Sequence, residues 1–285
     1  LAELLNKDLK GIWNVGKPLP RVYTVEGWEK HVKPALDQAV KDSKNTDWVL
    51  GGNLHQAPVT EAAINSLKER YFKEYAAAWY DMMNSITWQP RTTNLDAVNQ
   101  FHVYADPQRS PLVALFHAVK ESSQLDSKKI DVNPAVADAA KRAAARQLSS
   151  RSRRVADTVL NSQAENINAL EGKVNDYLAG PLEAEFENLL QLIDAQINPK
   201  SDLSLQRYLE RVTTIKQRLI QMASSSDTGG VARSAVQGVL NGGDNEFLEG
   251  MQYARLIEAG VGDRLLPFAR NVFVLPFNSV WDSIA

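Results

Sequence analysis

The sequence contains no cysteine. That absence excludes a disulfide framework, a thiolate-bound zinc or iron–sulfur centre and any thiol nucleophile. Histidine is scarce. The four present, His31, His55, His102 and His117, never stand at the His-x-x-x-His or His-Glu-x-x-His spacing that sets two metal ligands on one helical face. No apolar run approaches the roughly 20 residues of a membrane-spanning helix, and the N-terminus has neither the charged start nor the apolar centre of a signal peptide. An excess of one charge sign is missing too. Lys and Arg total 32 against 34 Asp and Glu, a net charge of -2, so no global field favours nucleic acid or an anionic membrane as partner. Also lacking are the Gly-x-x-x-x-Gly-Lys-Ser/Thr phosphate loop, the Gly-x-Gly-x-x-Gly turn and the Gly-x-Ser-x-Gly elbow, and with them the local geometry of nucleotide binding and of common hydrolases.

What is present is a chain of 285 residues, 44% of them hydrophobic, enough to fill cores in about two domains. Apolar residues recur at helical spacing almost everywhere, and sustained two-residue alternation is absent, so the expected class is all-α. Thr24 is placed to cap a helix that runs through Trp28 towards Val40, and Pro34 must kink or restart it. Trp48-Val49-Leu50-Gly51-Gly52 has the look of a loop or helix end pinned into the core. From Pro58 to about Thr87, the positions Ile64, Leu67, Tyr71, Tyr75, Ala78, Met82 and Ile86 predict the longest helix. Shorter helices are expected over 94–104 and after Ser110-Pro111 to about Ser122.

Composition changes at Gln124. Residues 126–165 are Ala-rich and Arg-rich with a thin apolar stripe, an exposed helix or a linker between helical subdomains at 1–125 and 166–285. In the second subdomain, Ile167, Leu170, Val174 and Leu178 form one stripe and Leu182, Phe186, Leu189, Ile193 and Ile197 the next, with Asn198-Pro199 ending it. Leu205, Tyr208, Val212, Ile215, Leu219 and Met222 then step by three and four, a seam suited to an antiparallel bundle. Turns at 224–230 and 241–245 separate short helices at 231–240 and 246–258, and proline interrupts the closing helical stretch at Pro267 and Pro276. The start at Leu1, within a helical pattern, suggests a piece of something larger.

No catalytic, cofactor-binding or metal residue is assigned. His102 and His117 can meet an acid across two helices, but a lone helical histidine is ordinarily a surface or satisfied core residue. Asp244, Asn241 and Asn245 lack the ligand alternation and the closing glutamate of a calcium loop, and are expected to form a turn. Glu183, Glu185 and Glu187 spread around a helix start, where its dipole favours carboxylates anyway. The arginines Arg146, Arg151, Arg153 and Arg154 have no interleaved aromatics on which bases could stack, so a basic linker is expected and no nucleic acid. Trp28, Trp48, Tyr71, Tyr75, Trp79 and Trp88 can line a pocket, yet their helical spacing places them in the core first.

Several of these features occur in a telling order: Val22-Tyr23-Thr24-Val25-Glu26-Gly27-Trp28, Pro34-Ala35-Leu36, Trp48-Val49-Leu50-Gly51, Tyr71-Phe72-x-x-Tyr75-x-x-x-Trp79 and Ser110-Pro111-Leu112. Phe186-x-x-Leu189-Leu190, Tyr208-Leu209-x-x-Val212 and Val274-Leu-Pro-Phe-Asn-Ser-Val-Trp281 continue it. The whole set resembles the periplasmic part of the IcmF/TssM family, the large inner-membrane component of bacterial type VI secretion systems. The resemblance implies a preceding membrane anchor and cytoplasmic NTPase-like domain, and a following β-rich domain that docks the outer-membrane lipoprotein TssJ. It further implies a non-enzymatic helical pillar of a trans-envelope complex, without cofactors, assembled with TssJ, TssL and other TssM copies. Two alternatives stand beside it. One is a helical adaptor unrelated to secretion; the other is a hydrolase, which needs a pocket joining His55, His102 or His117 to an acid and a nucleophile. The proline breaks and the thin 126–165 segment further suggest conformational change.

Overall fold

The computed structural model describes residues 11–49, 60–106, 108–126, 180–193, 203–224 and 246–284. Leu50 to Gly52, His55, the polar segment beyond Asp126, the stripe at 167–178, Ile197 to Pro199, and the turns and helix expected between 225 and 245 lie outside these residues.

Thr24 opens the first helical run as its sequence suggests. Its Oγ1 accepts from the Gly27 amide at 3.0 Å, which satisfies one of the donors every helix start leaves over. The run comprises Val25–Gly27, a π-helical turn at Trp28–Val32 and Lys33–Val49, together called α1. The run continues across Pro34 without restarting, and the preceding turn is widened: the Lys33 amide donates five residues back, to the Trp28 carbonyl. Gly27 is fixed by the tightness of this start. A Cβ there would come within 2.2 Å of the Arg21 carbonyl oxygen and 2.8 Å of that of Val22, both main chain. Gly27→Ala should therefore cost about 1–3 kcal/mol, as overpacking does where backbone must yield; urea denaturation reads it directly.

Helix α2 spans Glu61–Asn84, capped by Thr60 through the Ala63 amide at 3.2 Å. Of the expected stripe, Ile64, Tyr75, Met82 and Ile86 are buried and Tyr71 and Ala78 half-buried, but Leu67 is 55% exposed, and the buried face is widened by Ala76, Met83, Phe72 and Trp79, the last two with large rings that favour the core. The helix also ends before Ile86. Ser85 closes it, donating its amide to Asp81 and its hydroxyl to the Met82 carbonyl at 2.7 Å. The next residues, Ile86–Trp88, form strand β2, which pairs antiparallel with β1 (Trp13–Val15) in the register Trp13 to Trp88, Asn14 to Thr87 and Val15 to Ile86. Strands of three residues are too short for their alternation to register as a pattern.

Helix α3 (Asn94–Tyr104) is capped by Thr93. Helix α4 (Pro111–Ser123) starts on proline as expected, although the Ser110 hydroxyl makes no capping bond. Helices α5 (Glu183–Leu190), α6 (Leu205–Ser224) and α7 (Glu246–Gly260) follow. All six seam positions of α6 are buried. The final run, α8, joins Leu266–Ala269, a second π turn at Arg270–Val274, and Leu275–Ile284. The class is all-α, with one small two-stranded sheet among the described residues.

Leu1–Leu125 and Leu182–Ala285 form one compact unit and Asp126–Pro181 another. The segments flanking the polar stretch, taken from sequence as two helical subdomains, thus contribute to a single hydrophobic core. Two aromatic chains run through it. In the first, Trp28 stacks on Tyr71 at 5.3 Å, Tyr75 stacks on Trp79 at 6.3 Å, and Trp79 meets Phe186 edge-on at 6.1 Å. In the second, Trp88, Tyr104, Tyr208 and Phe273 follow one another at 5.2, 6.4 and 4.9 Å. The aromatic residues suggested as a pocket lining are therefore core: Trp28, Tyr75, Trp79 and Trp88 are buried and Tyr71 half-buried, with the Trp48 side chain outside the described set.

Candidate functional site

A groove of about 1040 Å³ lies where α3, α4 and α6 converge. Its apolar floor comes from four places: Ala105 just after α3, Val113 on α4, Leu192 and Ile193 just after α5, and Leu205 and Leu209 on α6. The rim is polar. His102 and Asp106 stand at the end of α3, His117 one turn beyond Val113 on α4, and Gln206, Glu210, Thr213 and Lys216 along α6. These α6 positions step by three and four, so they project from one side of the helix over roughly 15 Å at 1.5 Å per residue.

The groove brings together what the sequence could only propose as a pair, His102 and His117, and adds the acids Asp106 and Glu210 and the hydroxyls of Ser204 and Thr213. Their hydrogen bonds lead elsewhere. Asp106 accepts from the Gln108 amide at 2.9 Å, Glu210 from Gln206 at 3.1 Å, and Ser204 from the Arg207 amide at 3.2 Å, while Thr213 donates to the Leu209 carbonyl at 2.9 Å. Both imidazoles are exposed. A hydroxyl becomes a nucleophile when a base within hydrogen-bond reach takes its proton and a third group orients that base. Among the described residues, the hydrogen bonds of these acids and hydroxyls run to backbone groups or to Gln206, and none joins one of them to His102 or His117. Among the described residues no group of three or more histidines and acids stands close enough to hold a metal ion, and no helix is long and apolar enough to cross a membrane.

Directly behind the groove, Tyr104 precedes Ala105 and Tyr208 precedes Leu209. Both phenols are fully buried, and burial raises both far above the usual tyrosine value, so they remain protonated donors. Nearer the surface, Glu185 ties three elements together: its carboxylate takes Arg264 at 3.2 Å and its carbonyl takes the Tyr80 hydroxyl at 2.5 Å, with the Arg264 guanidinium 4.3 Å from the centre of the Tyr80 ring. Of the three glutamates noted in the sequence, Glu185 and Glu187 are exposed and Glu183 half-buried, in keeping with a solvated helix start.

Arg218 on α6 pairs with Glu246 at the start of α7, and this guanidinium holds the carboxyl below its usual range. A lowered folded pKa means that the stabilisation is complete above the ordinary carboxylate range and is lost as pH falls through the lowered value. The pair is partly solvent-screened, so its contribution is under about 1 kcal/mol. Denaturation midpoints followed from pH 7 to pH 3 should show this acid-side loss in the parent chain and not in Glu246→Gln.

The floor residues of the groove carry no motif. Leu192, Leu205 and Leu209 read as ordinary helical core in sequence, and only the convergence of separate elements leaves them lining a surface. Residues 9–124 match the family model described as IcmF-related, intracellular multiplication and human macrophage-killing, which bears out the resemblance over that stretch. Among the solved structures that share the fold are two. One, described as a type VI secretion system membrane core complex, aligns over 99% of this chain at 24% identity with a TM-score of 0.68; the other, described as a type VI membrane complex, aligns over 99% at 24% identity with a TM-score of 0.60. The chain spans 44% and 45% of the length of those two chains. No curated protein matches it.

Proposed function

We propose that this chain is the periplasmic helical region of an IcmF/TssM-type inner-membrane protein, and that it serves as a structural pillar of a type VI secretion membrane complex. The observation that carries this reading is a fold shared with type VI membrane complexes from one end of the chain to the other, together with the IcmF-related segment at residues 9–124. The physical design suits the role. Helices span distance at about 1.5 Å per residue and pass on relative motion without any catalytic constellation. The unlinked histidines, acids and hydroxyls of the groove fit a protein that binds rather than reacts. Its partners are then TssJ, mainly through a β-rich domain outside this chain, with TssL and further TssM copies.

A pull-down from envelope extracts of cells carrying a type VI cluster tests this, using the chain with and without the β-rich domain expected to follow it. The expected result is recovery of TssJ only with the added domain, and of further TssM with either bait. If neither bait recovers any component of the envelope complex, the chain is better described as a helical adaptor unrelated to secretion.

A further inference from the structure

In an α-helix each amide donates to the carbonyl four residues back. Pro276 has no amide proton, so the Val272 carbonyl loses its donor. In α8 the preceding turn is π-helical, with the Leu275 amide reaching back five residues to Arg270. Val272 is fully buried, so water cannot satisfy its carbonyl. Two hydroxyls from other helices reach it instead. Tyr104, the last residue of α3, donates to the Val272 carbonyl at 2.5 Å, and Tyr208 of α6 donates to that of Phe273 at 3.1 Å, with the Val272 oxygen 3.3 Å away.

Helix α1 supplies an internal comparison. Pro34 follows the π turn at Trp28–Val32 by the same two-residue step as Pro276 follows Arg270–Val274. The carbonyl left over there belongs to Lys30, which is exposed, and no side chain is needed to cover it. The tyrosine pair is thus demanded by burial and not by the π turn as such.

We propose that Tyr104, Tyr208 and Pro276 form a conformational joint in which the two hydroxyls hold α8 on its π-turn path. Since they hang from α3 and α6, a relative shift of those two helices withdraws the donors and releases Leu275–Ile284 towards the kinked path that proline otherwise imposes. The released segment carries Ser279, which accepts from the Trp88 indole at 3.0 Å, so its movement is also felt at β2.

Hydrogen exchange followed by mass spectrometry on the 285-residue chain tests the joint. In Tyr104→Phe/Tyr208→Phe, the amides of Leu275–Ile284 should exchange about tenfold faster, the equivalent of one lost buried hydrogen bond, while those of α2 and α4 keep their rates. The Trp88 indole N–H resonance should shift in the same variant. Adding Pro276→Ala restores an amide to face Val272, and the acceleration should fall below about threefold. Unchanged exchange in α8 would overturn the proposal. So would an equal rise in α2 and α4, or an acceleration that Pro276→Ala leaves intact. Tyr104→Phe alone, which leaves the Tyr208 bond in place, carries the same comparison if the double variant does not fold.

Discussion

Trp79→Ala should remove about 4–6 kcal/mol of stability. Truncating a buried tryptophan or phenylalanine costs about 3–5 kcal/mol through lost transfer energy and the cavity left behind. Trp79 adds a second cost. Its indole Nε1 donates to the Tyr23 carbonyl at 3.1 Å, and alanine leaves that oxygen without its partner. The ring is also a bridge between distant parts of the sequence, stacked on Tyr75 of α2 on one side and edge-on to Phe186 of α5 on the other. Against a typical total of about 5–15 kcal/mol, the loss is a large fraction of what holds the domain folded. Urea titration followed by far-UV circular dichroism measures it. A change under about 1.5 kcal/mol would show that α2 and α5 do not depend on this ring, whereas Trp79→Phe should retain more than half of the stability lost by alanine.

The second large effect belongs to Phe273→Ala, expected at about 3–5 kcal/mol. Phe273 is fully buried and meets Tyr208, Phe268 and Phe116 edge-on, at 4.9, 6.1 and 6.2 Å. Leu67→Ala is its control, since a side chain 55% exposed on α2 should change stability by no more than about 0.5 kcal/mol. Trp79 and Phe273 also report jointly on the organisation of the core. If the helices before Leu125 and after Leu182 share one core, both variants should lower the midpoint of the same cooperative transition. Two transitions, one moved by each substitution, would instead mean that the two stretches unfold separately.

Sequence periodicity located the helices well where one face is buried and the steps are regular. Every position of the α6 seam from Leu205 to Met222 is buried, and Thr24 caps where its side-chain chemistry predicts. Periodicity was less informative where partners are remote. The face of α2 was misplaced at Leu67 because spacing alone does not weigh a leucine against the rings of Phe72 and Trp79. The β1–β2 pair escaped because its strands are three residues long and the partners Val15 and Ile86 are 71 positions apart in sequence. Pro34 and Pro276 announced a local departure from α-helix, but not that a π turn would absorb it. The groove was legible only as the pair His102 and His117. Its floor is drawn from residues of α6 and of the chain around α3, α4 and α5 that look, one by one, like core.

The core is left at Leu125 and rejoined at Leu182, and its last large rings, Phe273 and Phe277, come near the end of the chain. On the ribosome this order sets a waiting time. At about 5–20 residues per second, the roughly 150 residues between Leu125 and Phe273 take about 7–30 s to emerge. Through that interval the rings of Trp88, Phe101 and Tyr104 are already made and have nothing from α8 to pack against. A nascent chain in that condition is a natural client for holdase chaperones, and its yield in cells should respond to their supply more than its equilibrium stability would suggest.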